Sequence, residues 1–195
     1  MSIVPMVFCG TEMSACEVFL GGACGATTWR DLKAIPELMK NGVSYYNPQC
    51  PEGAWHEGMI AEETTAKAKA AVMLFVISGE TRGVASLVEA SALIASGKHV
   101  CLVVEDIEMD AIVEGQHLGI HERKDLNRGR RYLVDVLQES SQNGCGNACL
   151  CKNVADAAAK ATEMVLERRK FCHNVMDKLT LKKRSPTRLL RKASL

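Results

Sequence analysis

A continuous apolar run at residues 71–77 constrains the fold of this chain more than any other segment. A run without a polar face is typical of a central parallel strand that helices cover on both faces. Even when it is extended to Ala70 the run is too short to cross a bilayer, which takes about 20 residues. At 195 residues, the chain is long enough for one domain with a substantial core.

Strand patterns alternate with helix patterns on both sides of this run, and no hairpin signal separates them. The predicted strands cover residues 16–20, 43–46, 71–77 and 100–104, and a last strand is expected near Cys149. The predicted helices cover residues 29–40, 56–69, 86–96, 125–139 and 153–169. This alternation predicts a doubly wound α/β domain, with a parallel sheet of about five strands and helices on both faces.

Basic residues are concentrated at the carboxyl end of the chain. Residues 168–195 contain ten Lys and Arg residues and one acidic residue, although the net charge of the whole chain is only +1. We therefore expect a leader over residues 1–15, an acidic domain over residues 16–167 and a basic, partly disordered tail over residues 168–195. One interpretation of the tail is a solvated end without a function of its own. The functional interpretations are a segment that binds an acidic partner, a cluster like a nuclear-localisation signal, or a segment that is phosphorylated at Ser185 or Ser194.

The cysteines indicate a reducing compartment. Their number, nine, is odd, and several lie in predicted strands or helices, where reduced thiols pack as small apolar groups. The first residues lack the basic start and the long apolar run of a signal peptide. We expect a cytoplasmic or nuclear protein without a membrane span. The spacing of Cys145, Cys149 and Cys151 lacks the second ligand pair of a zinc site, so no metal and no cofactor are predicted.

Three loops are candidates for a ligand site. Ligands of doubly wound proteins bind beyond the carboxyl ends of the strands, which selects residues 21–28, 47–55 and 78–85. In the first loop, Gly21 and Gly22 allow a ligand to approach the backbone, while Thr27 and Thr28 lie where free amides at a helix start favour a phosphate or sugar oxygen. A plain glycine turn, with one of the two threonines as the helix N-cap, is an equally good interpretation.

Four further candidates for substrate binding each have a structural alternative. Arg30 either reaches a phosphate or carboxylate or lies in solvent on its helix. Asn47 either bonds a sugar hydroxyl or forms a turn. Trp55 either stacks on a base or closes the core, and Asn127 is a candidate for completing a pocket, in this chain or in a neighbouring subunit.

Glu89 is the candidate catalytic carboxylate. It follows the central strand, together with the substrate-binding candidates Thr81, Gly83 and Ser86. The spacing of Ser86 and Glu89 fits a capping box, in which both side chains only stabilise the start of a helix. In the functional interpretation, Glu89 lies in the first turn of a helix that points at the cleft, where a carboxylate can attack a sugar carbon as its base departs. Both interpretations stay open at this point.

The sequence as a whole resembles the nucleoside 2-deoxyribosyltransferase-like family. The resemblance is carried, in this order, by FLGG, TTWRDL, LMKNGVSYYNPQ, AKAAVMLFVISGETRGVASLVEASALIASGKHVCLVVED and DLNRGRRYL, over roughly residues 16–161. It implies a flavodoxin-like sheet, deoxyribosyl or ribosyl transfer or hydrolysis at the N-glycosidic bond of a nucleoside or nucleotide, Glu89 as the nucleophile, and a homodimer or higher homo-oligomer. Typical members carry an Asp where this chain has Ala70 and Ala71.

The missing acidic companions of Glu89 motivate a second functional hypothesis. In it, the chain is a catalytically weak or inactive nucleotide-binding sensor or scaffold module, regulated through its basic tail. Cleavage of an N-glycosidic bond usually requires protonation of the leaving base as well as stabilisation of the sugar. With one clear carboxylate instead of two or three, the chain lacks the groups that usually perform both tasks.

Overall fold

The structure of the protein, a computed structural model, describes residues 16–184 apart from residues 26, 52 and 145, with side chains described through residue 175. The chain divides into two units between Val165 and Leu166. The first unit contains the sheet and most of the helices described below. Within the described ranges, no helix combines the length and the apolar composition that a membrane span requires.

A parallel sheet of five strands forms the centre of the first unit. Its strands are β1 (Val18–Gly22), β2 (Tyr45–Tyr46), β3 (Val72–Ile77), β4 (Val100–Val104) and β7 (Ala148–Leu150). They lie in the order β2-β1-β3-β4-β7, and all neighbours are parallel. The order reverses between β1 and β3, which is where doubly wound proteins bind ligands.

Helices cover both faces of the sheet. They are α1 (Ile35–Lys40), α2 (Gly58–Lys69), α3 (Val84–Ala95), α4 (Ile120–Gln142) and α5 (Val154–Arg184). Residues of α1 and α5 share one apolar cluster with the sheet, and residues of α2, α3 and α4 share another. The predicted doubly wound α/β fold is therefore confirmed.

The apolar run that led the prediction is the central strand β3, and all six of its residues are buried. Alternate side chains enter opposite faces: Leu74 packs in the cluster with α1 and α5, while Phe75 packs in the cluster with α2, α3 and α4. Each large apolar side chain that is removed from water in this way stabilises the fold by roughly 1.5–3 kcal/mol.

The first helix begins with a π-helical segment, Arg30–Ala34, that continues directly into α1. The N–H of Ile35 donates to the carbonyl of Arg30, which makes the wider turn of a π-helix. Pro36 then falls in the first turn of α1, and its ring fixes φ at a value that a helix accepts. The proline therefore does not interrupt the predicted helix, but it divides the helix into a π part and an α part.

A small hairpin lies between β4 and α4, where the sequence shows no hairpin signal. Strands β5 (Ile112–Val113) and β6 (Gln116–His117) are antiparallel and enclose Glu114 and Gly115. Both turn residues have positive φ, 50° and 78°, as a two-residue hairpin turn requires. Glutamate rarely adopts a left-handed conformation, so this turn cannot be recognised from its residues.

Three helix boundaries also differ from the predicted ones. Helix α3 begins at Val84 instead of residue 86, and α4 begins at Ile120 instead of residue 125. Helix α5 continues to Arg184, so the first part of the predicted basic tail is helical. Ser185 and Ser194 lie outside the described residues, and their phosphorylation stays a prediction.

Candidate active site

Gly21 and Gly22, predicted in the first loop, are instead the last two residues of strand β1, and the packing of the sheet requires both. A Cβ on Gly21 would lie 2.3 Å from the ring of Phe75 on the neighbouring strand. Gly22 has φ +141°, and a Cβ there would lie 2.6 Å from the carbonyl oxygen of Val76. Both positions therefore exclude a side chain whether or not a ligand binds, and their role in substrate binding stays a prediction.

Arg30 is fully buried under this loop. Its guanidinium donates to the carbonyls of Leu20 at 3.2 Å, Gly22 at 2.8 Å and Ala23 at 3.1 Å, and to the Thr27 hydroxyl at 3.4 Å. Burial lowers the pKa of Arg30 to about 10, which still leaves it charged at neutral pH. Most of its donors are thus occupied by the loop, so Arg30 shapes the loop, and the solvated alternative is wrong.

Trp29 lies beside this arginine, with the Arg30 guanidinium 4.3 Å above its ring. Its indole N–H is buried and has no acceptor among the residues that the structure describes. Buried donors of this kind are rare in proteins and call for an explanation. Trp29 was not among the predicted site residues.

The two threonines of the loop have different surroundings: Thr27 is buried and Thr28 is exposed. Neither is the N-cap that the turn interpretation expected, because the first helical segment is capped at Trp29 without a side-chain hydrogen bond. The carbonyl of Thr27 accepts a hydrogen bond of 3.0 Å from the side chain of Gln49, which also donates to the carbonyl of Gly25 at 3.0 Å. Gln49 therefore ties the loop after β2 to the glycine loop.

Asn47 and Trp55 lie in the second candidate loop. The side-chain oxygen of Asn47 accepts from the backbone N–H of Gln49 at 3.0 Å, which is the turn role that the sequence allowed. Trp55 is 52% exposed, so it does not close the core. Stacking of this ring on a base stays a prediction.

The third loop, residues 78–83 after β3, is held by a second fully buried arginine, Arg130. Its guanidinium donates to the carbonyls of Ser78 at 3.0 Å, Thr81 at 2.8 Å and Glu105 at 2.9 Å. Burial lowers the pKa of Arg130, although Asp106 and Glu105 oppose the shift. The sequence analysis missed this residue because an arginine within a charged helical stretch gives no signal of burial.

Thr81, Gly83 and Ser86 line the start of α3. Thr81 and Ser86 are buried, and Gly83 caps the helix with φ 64°. Because the helix already begins at Val84, Ser86 lies inside its first turn and is not an N-cap. The capping-box interpretation of Ser86 and Glu89 is therefore wrong, and Glu89 lies in the second turn instead of the first.

Asn127 forms part of the scaffold on α4. Its side chain accepts from the N–H of Ile107 at 2.9 Å and donates to the carbonyl of the same residue at 3.0 Å. The side chain is buried. Both ends of the amide are thus engaged with one backbone residue after β4, and a role in a pocket stays a prediction.

Glu89 lies on the face of α3 that meets α2. Its carboxylate forms an ion pair with Lys67, and the side chain of Glu89 is 30% exposed. The ammonium of Lys67 lies 5.4 Å from the centre of the Phe19 ring, which itself stacks on Tyr46 at 5.6 Å. Glu89 therefore lies at a half-buried seam between two helices, above an aromatic surface from β1 and β2.

A second carboxylate, Glu63, shares the same lysine. Its Oε2 lies 3.8 Å from the Lys67 Nζ, one helical turn away on α2. Burial raises the pKa of Glu63, and the negative charge of Glu89 raises it further, while Lys67 and Arg30 lower it. Glu63, Lys67 and Glu89 are hereafter called the carboxylate–lysine cluster. The sequence analysis did not find Glu63 because nothing in a charged helix identifies which face meets α3.

A separate group of ligating atoms is formed by Cys101, Cys149 and Cys151, whose sulfurs all lie within 4.8 Å of one another. The prediction of no metal rested on Cys145, Cys149 and Cys151, and Cys145 lies outside the described residues. Cys101 comes from β4, and its proximity to the other two depends on the pairing of β4 with β7. Local spacing therefore did not identify this group.

Comparison with known proteins gives one match. The family model described as nucleoside 2-deoxyribosyltransferase like matches residues 15–107. The matched segment includes the glycine loop, α2, β3 and α3, and so contains the whole carboxylate–lysine cluster. No match was found among curated proteins or among solved structures.

Proposed function

We propose that this chain, whose residues 15–107 belong to the nucleoside 2-deoxyribosyltransferase-like family, acts on the N-glycosidic bond of a nucleoside or nucleotide, with Glu89 as the nucleophile. The observation that carries the proposal is the carboxylate–lysine cluster, because it provides the second acidic group that such a reaction needs. The family itself indicates glycosyl transfer to or from a nucleoside. The separate roles of nucleophile and general acid for the two carboxylates are a further part of the proposal.

In the first step, a Glu89 oxygen bonds to the anomeric carbon of the sugar as the bond from that carbon to the base nitrogen breaks. The base leaves with the electron pair of that bond and takes a proton from Glu63. The raised pKa of Glu63 suits this role, since a general acid must hold its proton near neutral pH. In the second step, water or another base attacks the anomeric carbon, Glu89 leaves, and the attacking group returns a proton to Glu63.

Lys67 has two consequences for this chemistry. Its ammonium holds the Glu89 carboxylate in place between α3 and α2. The same ion pair occupies the carboxylate, so Lys67 must move away from Glu89 before a sugar carbon can approach. Lys67 is thus a positioning residue that holds the nucleophile until substrate displaces it.

Base release from a panel of ribonucleosides, deoxyribonucleosides and their monophosphates tests the proposal. Glu89→Gln should reduce release to the uncatalysed background, and Glu63→Gln should reduce it by about 10²–10⁴-fold. The matched control is Glu62→Gln, an exposed carboxylate next to Glu63 on α2, which should keep native activity. Equal turnover by the native protein and Glu89→Gln would remove Glu89 as the catalyst.

The dependence of the rate on pH separates the roles of the two carboxylates. Because Glu63 acts in its protonated form, the native rate should fall as pH rises through its raised pKa. This alkaline fall should disappear in Glu63→Gln and persist in Glu62→Gln. A pH profile that is identical in the native protein and Glu63→Gln would contradict the assignment of Glu63 as the acid.

A second candidate function is favoured by the ion pair itself. If Lys67 stays on Glu89 when a nucleotide binds, the chain is a nucleotide-binding sensor or scaffold without turnover. Thermal-shift measurements with nucleosides, nucleotides and ADP-ribose separate the two functions. Stabilisation by a nucleotide without base release supports the sensor. An acidic or phosphorylation-dependent partner for the tail stays a prediction, and so does a homo-oligomer. Both are compatible with either function.

A further inference from the structure

Four sulfur atoms meet on the face of the sheet opposite Glu89. Cys101 lies on β4 and Cys149 on the edge strand β7, where the two are register partners. Cys151 follows directly after β7, and Met164 lies on α5. All four belong to the apolar cluster that α1 and α5 form with the sheet, whereas α3 packs on the other face. This sulfur cluster is therefore independent of the carboxylate–lysine cluster.

The distances between the sulfurs suit a shared metal ion. The Sγ of Cys149 lies 3.8 Å from that of Cys101 and 3.9 Å from that of Cys151. The Sδ of Met164 lies 3.8 Å from the Cys101 Sγ. A metal bound tetrahedrally to sulfur at about 2.3 Å holds its ligands about 3.8 Å apart. The fold thus provides this spacing through its strand register.

Burial and charge favour a soft cation at this place. Cys101 is fully buried, while Cys149 and Cys151 are only partly buried, which leaves a route for an ion from solvent. The charged groups that face the cysteines are Lys160 and Asp156 on α5.

We propose that Cys101, Cys149 and Cys151 bind a thiophilic metal ion, with the Met164 thioether as a fourth donor. Thiolate and thioether ligands select Cu(I) and Zn²⁺ over harder cations, and a thioether among them favours Cu(I). On binding, the thiols lose their protons to solvent and each sulfur donates an electron pair to the metal. The ion would join β4, β7 and α5, and should therefore raise the stability of this edge of the sheet.

The experiment titrates the reduced, chelator-treated full chain with Cu(I) and, separately, with Zn²⁺ against a chromophoric competitor. The native chain should bind one equivalent, Cu(I) more tightly than Zn²⁺, with thiolate-to-metal absorption. Cys149→Ser and Cys151→Ser should each weaken binding at least about 100-fold, since losing a direct ligand exceeds the cost of losing an outer-shell partner. Cys172→Ser, at an exposed cysteine on α5, is the matched control and should bind as the native chain does.

Two further variants test the proposal if the cysteine-to-serine substitutions destabilise the fold. Met164→Leu conserves volume and should weaken Cu(I) binding about tenfold while leaving Zn²⁺ binding closer to native. Cys101→Ala keeps an apolar side chain in the core and should abolish stoichiometric binding. Equal losses in Cys172→Ser and Cys151→Ser would overturn the proposal. Failure of the reduced native chain to bind either ion, or a Cys101–Cys149 disulfide in the protein as purified, would overturn it as well.

Discussion

Arg30 and Arg130 are both fully buried, and both donate to backbone carbonyls at the carboxyl edge of the sheet. Arg30 bonds to groups between Leu20 and Thr27, a single short segment close to it in sequence. Arg130 bonds to the carbonyls of Ser78, Thr81 and Glu105, and thereby joins the ends of β3 and β4 to α4. One arginine shapes a loop, and the other joins separate parts of the fold.

The two arginines also differ in their electrostatic surroundings. Arg130 has Asp106 and Glu105 as its acidic neighbours, which belong to the scaffold. The positive charge of Arg30, in contrast, lowers the pKa of Glu63 in the carboxylate–lysine cluster. Loss of Arg130 should therefore act mainly on stability, whereas loss of Arg30 should act on both stability and the chemistry of the site.

The largest expected effect is that of Arg130→Met. Removing this guanidinium takes a donor away from the carbonyls of Ser78, Thr81 and Glu105, in two separate segments, and each carbonyl that is left unsatisfied costs about 1–3 kcal/mol. We expect the free energy of unfolding in urea to fall by about 3–5 kcal/mol. Arg131→Met, at the exposed neighbour on α4, should change it by less than about 0.5 kcal/mol. Similar losses in the two variants would show that Arg130 does not join these segments.

Arg30→Met should cost less stability, about 2–4 kcal/mol, because its acceptors lie in one short segment, from the end of β1 to Thr27, whose loop part can rearrange towards water. Faster amide hydrogen exchange should be confined to residues 20–30. If the chain releases bases, the alkaline fall of its rate should move to higher pH, since Glu63 loses a positive charge that lowers its pKa. Lys33→Met, at an exposed residue of the same helical segment, is the control and should leave both properties unchanged. A shift to lower pH would contradict the coupling between Arg30 and Glu63.

The smallest effect compares two glycines of the loop that Arg30 holds. Gly22→Ala should lower stability by about 1–3 kcal/mol, because an alanine there is strained and meets the carbonyl of Val76. Gly25→Ala should be nearly neutral, since no atom lies within 4 Å of its added Cβ. Thermal unfolding of the two variants checks the difference. Equal melting temperatures would show that the loop is not fixed at Gly22.

The sequence predicted the parts of the fold that depend on apolar pattern. The strands β3 and β4 could be identified because both of their faces are buried, which leaves an uninterrupted apolar run. The boundaries of α3 could not be identified, because the positive φ of Gly83 ends the loop before Ser86, the residue that the capping pattern selected. The conformation of Gly83, and not the capping pattern, thus sets the start of α3.

Of the residues in the carboxylate–lysine cluster, the sequence analysis identified only Glu89. Glu89 stood out because it follows the central strand within a recognisable stretch. Its companions Glu63 and Lys67 come from a helix whose charged residues look alike in sequence, and the packing of α2 on the sheet decides which of them meet α3. Cys101 joins Cys149 for the same reason, through strand register instead of spacing. Local sequence patterns therefore do not predict which side chains from distant segments of the chain come into contact.

The side chain of Gln49 has a kinetic consequence. Its two hydrogen bonds, to the carbonyls of Gly25 and Thr27, make the loop after β2 and the glycine loop a single opening unit. Either loop can therefore open on its own only when both of these bonds are broken, which ties the rate of that motion to the loss of two hydrogen bonds.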